Sequence, residues 1–476
     1  MRSYDAIVVG SGPNGLAAAI TLRRAGLAVL VVEAKNVLGG CLHSAELTLP
    51  GFAHDVCSAV YPLALDSPFF ATLPLGQFGL EWIYSPAPLA HPFDDGTAVL
   101  LERDVERTST TLDRDARAYR RLMTPLVRDW PRLQFDLLGP LRLPRYPIKL
   151  AQFGWLALHS ASNLGRKCFT DARARALLAG LSAHSMLSLD QVPSAAFGLI
   201  LGITGHAVGW PLPKAGAQSI ATALAAYFHS IGGESRTGLR VNSLEELPPA
   251  RAILCDVTPL QLVSIAGTRL SPDYRRQLLS YRYGFGAFKM DWAIEGPIPW
   301  RATECLRAAT VHLGGRGEEI AASESACARG EPGVKPFVLL VQPSLFDCTR
   351  APSGKQCVWA YCHVPNGSGF DMTDRIEAQI ERFAPGFRDR IIARSIMPPK
   401  KLEEQNANLV GGDINGGAAD LKQLWLRPSI RLYSTPARGL YLCSSSTPPG
   451  GGVHGMCGYF AAKTALRREW NLRTAV

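Results

Sequence analysis

Apolar positions along this chain fall into short continuous runs separated by glycine-rich turns, the pattern of buried parallel strands alternating with helices. Asp5-Ala6-Ile7-Val8-Val9 is such a run and predicts a buried strand ending at Gly10. A helical stretch from Leu16 to Arg24 follows, then Gly26, then a second buried strand from Ala28 to Val32 that closes on Glu33. Toward the other end, Leu440 to Cys443 predicts a strand, 450–455 a glycine-rich turn and Met456 to Arg468 a helix. Between them, a helix from Ser219 to Ile231 breaks at Gly232-Gly233, with strands expected around Leu239 to Val241 and Ala252 to Leu254. Phe285 to Ile294 predicts a further strand. Gln356 to His363 alternates, which puts Cys357, Trp359, Tyr361 and His363 on one face.

The first turn carries chemistry. Gly10-Ser11-Gly12-Pro13-Asn14-Gly15 is a GxGxxG motif set between a strand and a helix, with an acid at the end of the second strand. Gly10 permits the tight turn, Gly12 lets the backbone approach a pyrophosphate, and Gly15 lets the helix pack on the sheet. The helix N-terminus offers N–H groups and a positive dipole end to the phosphates, and Glu33 can accept from ribose hydroxyls.

Composition narrows the class. The 476 residues suffice for about three average domains. With 47% hydrophobic and 19% charged residues the chain reads as globular. Its formal charge of +10 is scattered, with no basic arm or tail, so nucleic acid is not expected as a partner. Eleven cysteines, an odd number without a CxxC pair, fit a reducing cytoplasm better than a disulfide framework. No leader pattern and no charge-free apolar run of membrane-spanning length are read, so a cytoplasmic location is expected. There is no serine nucleophile elbow, HExxH or Walker lysine, and no metal site is expected.

Glu33 followed by Gly39-Gly40 resembles the FAD-binding start of the amine oxidase and phytoene desaturase superfamily. Gly439-Leu440-Tyr441-Leu442-Cys443, followed by Pro449 to Gly455 (Pro-Gly-Gly-Gly-Val-His-Gly), resembles the C-terminal FAD motif of phytoene dehydrogenase-like NAD(P)/FAD-dependent oxidoreductases. These are close to the branch named for a pyridine nucleotide-disulphide oxidoreductase domain. The resemblance covers essentially the whole chain. It implies an α/β fold in which a discontinuous Rossmann-like FAD-binding domain, from residues 1–70, 210–275 and 405–476, stands with an α+β substrate-binding domain from 71–209 and 276–404. It implies FAD held by Gly10, Gly12, Pro13, Asn14 and Gly15, by Glu33, Ala34, Lys35, Gly39 and Gly40, by Val241, and by Gly451, Gly452 and Val453.

Flavin disulfide reductases fit less well. Their GlyGly is soon followed by two cysteines, whereas here Cys41 is followed by Glu46 at the partner's place. A second dinucleotide fingerprint is also missing, since Gly314-Gly315-Arg316-Gly317 follows no clear strand. Cys41 is expected to be a packed thiol.

Three residues are candidates for catalysis. Lys289, on the strand 285–294, resembles the amine oxidase lysine that meets flavin N5 through water, and a snorkelling strand lysine is the alternative. His454 lies in the flavin turn. His363 is a candidate acid or base, with a satisfied core histidine the alternative. The turn Asp413 to Gly417 is expected at the site rim. Ile148 to Leu164 is apolar and flanked by Arg142, Arg145, Lys149, Arg166 and Lys167. Packing in the core is the expectation adopted for it, with a peripheral membrane contact kept beside it.

The expected function is an FAD-dependent oxidoreductase that desaturates or saturates CH–CH bonds of an apolar, polyene or lipid-like small molecule, with the electron acceptor (quinone, oxygen or a transient nicotinamide) unknown. Amine oxidation, carotenoid-type isomerisation and a flavin-binding regulatory or interaction role stand as alternatives.

Overall fold

A computed structural model describes residues 3–472, so the outermost residues of the expected cofactor domain lie outside the described ones. The chain opens with β1 (Tyr4–Val9), α1 (Pro13–Arg24) and β2 (Val29–Val32), followed by a hairpin of β3 (Ser44–Glu46) and β4 (Ala53–Asp55). Next come β5 (Ala87–Pro92), β6 (Ala98–Leu101) and a helical stretch: α2 (Ala116–Leu137), α3 (Pro147–Ala157), α4 (Ala161–Cys168), α5 (Ala172–Ala183) and α6 (Ser194–Ala207). Then α7 (Gln218–Ser230) precedes β7 (Glu234–Arg236), β8 (Ala250–Cys255), β9 (Gly286–Glu295), β10 (Ala308–Leu313) and α8 (Gly317–Ala328). The chain continues through β11 (Val338–Val341), β12 (Lys355–Val364), β13 (Ile391–Met397), β14 (Leu440–Leu442) and α9 (Met456–Glu469).

Two sheets organise the molecule. A five-stranded parallel sheet runs β14-β8-β1-β2-β7, so strands from both extremes of the chain and from its middle lie side by side. The fold is α/β with a Rossmann-like unit at its start. Both faces of this sheet are covered, which explains why its strands are continuously apolar rather than alternating. Ala6, Val8, Val29 and Val31 pack against α1, α7 and α9, and Ile7, Leu30 and Ile253 pack on the opposite side. Pro13 at the first turn of α1 gives up no needed N–H. Leu16, Ile20 and Leu22 are buried behind it, each contributing about 1.5–3 kcal/mol.

The second sheet is mixed, ordered β13-β9-β12-β11-β10-β5-β6, with only β10 and β5 parallel. On one face Phe288, Met290, Val358 and Ala360 bury against Ile376 and Ile380. The other face carries Trp359, Tyr361 and Met397 and meets the β3–β4 hairpin. Helices α2 to α6 pack together over Leu89, Val99 and Leu101 of β5 and β6. No helix is long and apolar enough to cross a membrane among the described residues.

Three sequence expectations are corrected. The strand expected at Leu239 to Val241 lies earlier, at Glu234–Arg236, where an edge strand pairs through its backbone without an apolar run to mark it. Gly314 does follow a strand, β10, and precedes α8, but that strand belongs to the mixed sheet, and Glu319 caps the helix from within its first turn. The apolar stretch 148–164 is two helices, α3 and α4, broken at Leu158 to Ser160, and its outer side is not buried.

Candidate active site

The first turn is held together by hydrogen bonds between its own loops. Glu33 ends β2 with its carboxylate buried, and its Oε2 accepts from the Ser11 N–H (2.9 Å) and the Ser11 hydroxyl (2.6 Å). Its Oε1 accepts from the Lys35 N–H at 2.9 Å. The Gly39 N–H donates to Ser11 Oγ at 3.0 Å, so the GlyGly turn is tied directly to the GxGxxG turn. Ser11 was not among the predicted residues, although its place inside the motif makes it the natural hinge between the two loops. Gly12, Pro13 and Gly40 are half-buried and Ala34 is exposed along the same rim. Gly15 admits no side chain, because a Cβ there would stand 2.2 Å from the Gly10 carbonyl oxygen.

A carboxylate already sits at the N-terminus of α1. Asp256, just past β8, accepts from the Gly15 N–H at 3.0 Å. Burial pushes its carboxyl up to about 7, against the pull of that N–H. The position attracts negative charge, as the helix dipole requires. Gly238 and Leu239 donate to the Lys35 and Glu33 carbonyls (2.8 and 2.9 Å), which lays the segment leading to Val241 along the end of β2. Val241 itself is half-buried against the outer core.

The far end of the chain meets this turn. At the start of α9, Gly458 packs so tightly on α1 that a Cβ would fall 1.8 Å from the Asn14 carbonyl oxygen. Asn14 is buried, and its Oδ1 has no partner among the described residues. The turn before α9 lines the same corner: Gly451 stands against Asn415 of the 413–417 turn, Gly452 is exposed and Val453 half-buried. His454 braces this turn. Its Nδ1 accepts from the Met456 N–H at 3.1 Å, the carbonyls of Gly450 and Gly451 bond the ring, and burial lowers it to about 4. Burial keeps the ring neutral, and its backbone-bonded Nδ1 braces the turn.

The β3–β4 hairpin links the glycine turns to the mixed sheet. Cys41, directly after Gly40, and Cys57 are both half-buried and pack with Trp359, Tyr361, Met397 and Leu409. The Cys41 thiol hydrogen-bonds Cys57, which holds Cys57 below the ordinary thiol range and pushes Cys41 up. The cysteine partner absent near position 46 thus arrives across the hairpin.

On the aromatic face, the rings of Trp359 and Tyr361 meet edge to face at 5.3 Å and 76°. Lys289 is opposite Tyr361 in the ladder, 3% exposed, with Nζ 5.8 Å from the Trp359 centroid. It is ion-paired with Asp291, which burial nonetheless raises to about 6. His54 Nδ1 lies 3.5 Å from Asp291, and burial with the charges of Lys289 and Arg350 lowers it to about 3. Arg350 pairs with Asp55 at 2.8 Å. This buried network of residues distant in sequence gave no local signal.

His363 lies at the end of the same face, and its Nδ1 pairs with Glu324 at 2.7 Å, both buried, leaving Nε2 unpartnered among the described residues. Beyond Tyr361, His184 and His312 approach Nε2 to Nε2 at 3.1 Å beside Trp210. Burial keeps both neutral, His184 near 3. Neither was predicted. The His184 carbonyl accepts from Asn415 at 3.4 Å, which joins this histidine pair to the turn behind Gly451.

Residues 8–70 match the NAD(P)-binding Rossmann-like domain family. A rat protein named pyridine nucleotide-disulfide oxidoreductase domain-containing protein 2 is 26% identical, over 98% of this chain and 94% of its own length. The neurosporene-forming phytoene desaturase of Rhodobacter capsulatus is 24% identical, over 95% of this chain and 92% of its own. Among solved structures, cyclohexylamine oxidase from Brevibacterium oxydans superposes with a TM-score of 0.60 at 14% identity, covering 99% of this chain and all of the other. These relatives and fold neighbours are oxidoreductases, and a flavin or nicotinamide dinucleotide is the cofactor class implied.

Proposed function

Taking as premise that the chain fits the amine oxidase and phytoene desaturase superfamily of FAD-type oxidoreductases, we propose that it binds FAD and exchanges hydride with CH–CH bonds of an apolar, polyene- or lipid-like substrate. The observation that carries the reading is the seating of α9, which directly follows its glycine turn, on Asn14 at the head of α1. The residues fit such a dinucleotide. A cradle with no room for side chains, an orphaned buried Asn14 Oδ1 and an anion-seeking helix N-terminus stand together. Gly10 to Gly15 and Gly39-Gly40 would hold the pyrophosphate, Glu33 and the segment by Val241 the adenosine, and Gly451 to Val453 the far end.

When bound, FAD supplies a two-electron, hydride-accepting centre; the chain supplies orientation and a dry surround. Trp359 and Tyr361 offer an apolar aromatic wall to a substrate without polar handles. Lys289 places a buried cation on that wall, with Asp291 holding the ammonium and restricting its reach. His184 and His312, kept neutral by burial, add polar groups beyond Tyr361 without adding charge.

The test is an absorbance spectrum of the purified or FAD-reconstituted protein, followed by anaerobic reduction with a panel of polyenes, acyl chains and amines. Flavin bands bleached by a polyene or acyl chain support the reading; a protein that refuses FAD defeats it. Lys289 over the Trp359 ring favours one second reading, amine oxidation, which peroxide release on turnover of amines would establish instead.

A further inference from the structure

We propose that residues 141–158, the loop after α2 together with α3, dock the protein onto an anionic phospholipid surface. The segment exposes what a folded chain ordinarily hides. Leu143 is 94% exposed, Ile148 73% and Trp155 75%, with Leu141, Tyr146 and Leu158 open beside them. On α3 the spacing is helical on both sides. Leu150, Phe153 and Ala157 turn inward against the helical core, while Ile148, Ala151, Trp155 and Leu158 form a second stripe facing solvent. A helix apolar on both flanks has one face without a partner, and a contiguous patch of this kind marks an interaction surface.

The charge around the patch selects the partner. Residues 141–167 contain Arg142, Arg145, Lys149, Arg166 and Lys167 and no Asp or Glu. Asp129 and Asp136, on α2 behind the patch, engage Lys149 (2.9 Å) and Arg142 (3.0 Å). No carboxylate pairs with Arg145, Arg166 or Lys167 among the described residues. The adjoining groove, about 1360 Å³, repeats the arrangement with an apolar floor of Leu122, Leu126, Phe153 and Leu156 beneath a rim of Arg and Lys. Of its two acids, Asp115 is occupied by the backbone N–H groups of Thr170 and Asp171 (3.0 and 2.7 Å), and Asp129 by Lys149.

Apolar side chains with an indole among them, ringed by cations, match the boundary between acyl chains and anionic headgroups. A second copy of the chain fits poorly, since a two-fold contact through this face would set the same five cations against each other. No described helix spans a bilayer, so the attachment is to its surface.

Flotation with phosphatidylcholine vesicles, with and without phosphatidylglycerol, tests the proposal. The full chain is expected to float with the anionic vesicles about tenfold more than with the neutral ones, and to be released by added salt. The double variant Leu143→Gln/Trp155→Gln and the charge variant Arg145→Glu/Arg166→Glu each reduce flotation about tenfold. All four positions are exposed, so thermal midpoint and bound flavin should match the parent, which separates this outcome from a failure of the FAD reading. Flotation absent from both vesicle types, or unchanged in both variants, overturns the proposal. So does a stable dimer in light scattering that Trp155→Gln converts to monomer.

Discussion

Around the parallel sheet, the turns are held by main-chain N–H groups, those of Ser11, Gly15, Lys35 and Gly39, each bonded to a neighbouring loop, with glycines clearing space beside them. Around the mixed sheet they are side chains: Trp359, Tyr361, Lys289, and histidines buried without charge. On the proposed reading, the difference follows from what each side has to hold. A dinucleotide presents the same phosphates and ribose everywhere, and backbone in a fixed turn recognises them at little entropic cost. A substrate wall has to be shaped by side chains, and those are costly when polar and buried.

The largest test of this contrast is acid. On the substrate side, burial lowers His54, His91, His184, His206 and His312 well below 6.5. Their contribution is present above 6.5 and lost as pH falls toward 4, because the unfolded chain gains protons first. At pH 5 each contributes up to about 2 kcal/mol of lost stability. Asp291, raised to about 6, returns only about 1 kcal/mol there. Asp256 on the cofactor side has the opposite sign. With its carboxyl raised to about 7, its burial penalty is relieved as pH falls through that value, by about 2–3 kcal/mol at pH 5. Hydrogen exchange between pH 7 and 5 should therefore show the mixed sheet and α5–α6 opening by several kcal/mol, while β1 and α1 hold or tighten. Uniform loosening of both would erase the distinction.

Lys289→Met comes next. Removing the cation strands Asp291 in the core, and the melting free energy should fall by about 3–5 kcal/mol. Adding Asp291→Asn should restore most of it. FAD should remain bound to the single variant, with slower flavin reduction or reoxidation in stopped flow. Unchanged rates in both half-reactions would strip Lys289 of its chemical role and leave it a structural ion.

Gly458→Val attacks the other side. A side chain against the Asn14 carbonyl should cost at least about 3 kcal/mol and loosen FAD at least tenfold by fluorescence titration, since it separates α9 from α1. The smallest effect expected is for His454→Ala, which removes one brace of the turn and should lower stability by about 1 kcal/mol without changing the pH profile of turnover. A lost ionisation in that profile would reinstate His454 as an acid or base.

The same division governs what could be read from the chain. The GxGxxG turn, Glu33 and the 450–455 turn were legible because backbone chemistry leaves glycines at fixed spacing. Cys357 to His363 was legible on one face because β12 alternates. The strand at Glu234–Arg236 was missed because an edge strand of three polar residues is fixed by its neighbour β2 rather than by its own pattern. The Asp55–Arg350 pair, separated by 295 residues, and the approach of His184 to His312 are products of tertiary packing alone. Cys57 was overlooked because the hairpin, not sequence proximity, brings it to Cys41.

The order of the parallel sheet also bears on how the chain is made. β14 pairs with β8, which pairs with β1, and α9 then covers α1. During synthesis, the first nucleotide-binding turn leaves the ribosome long before the strand and helix that complete its grip. Until they emerge, β8 presents an unpaired edge to any strand nearby. A nascent chain halted before residue 440 should therefore be prone to aggregation, and, on the proposed reading, capture of FAD should begin only after that point.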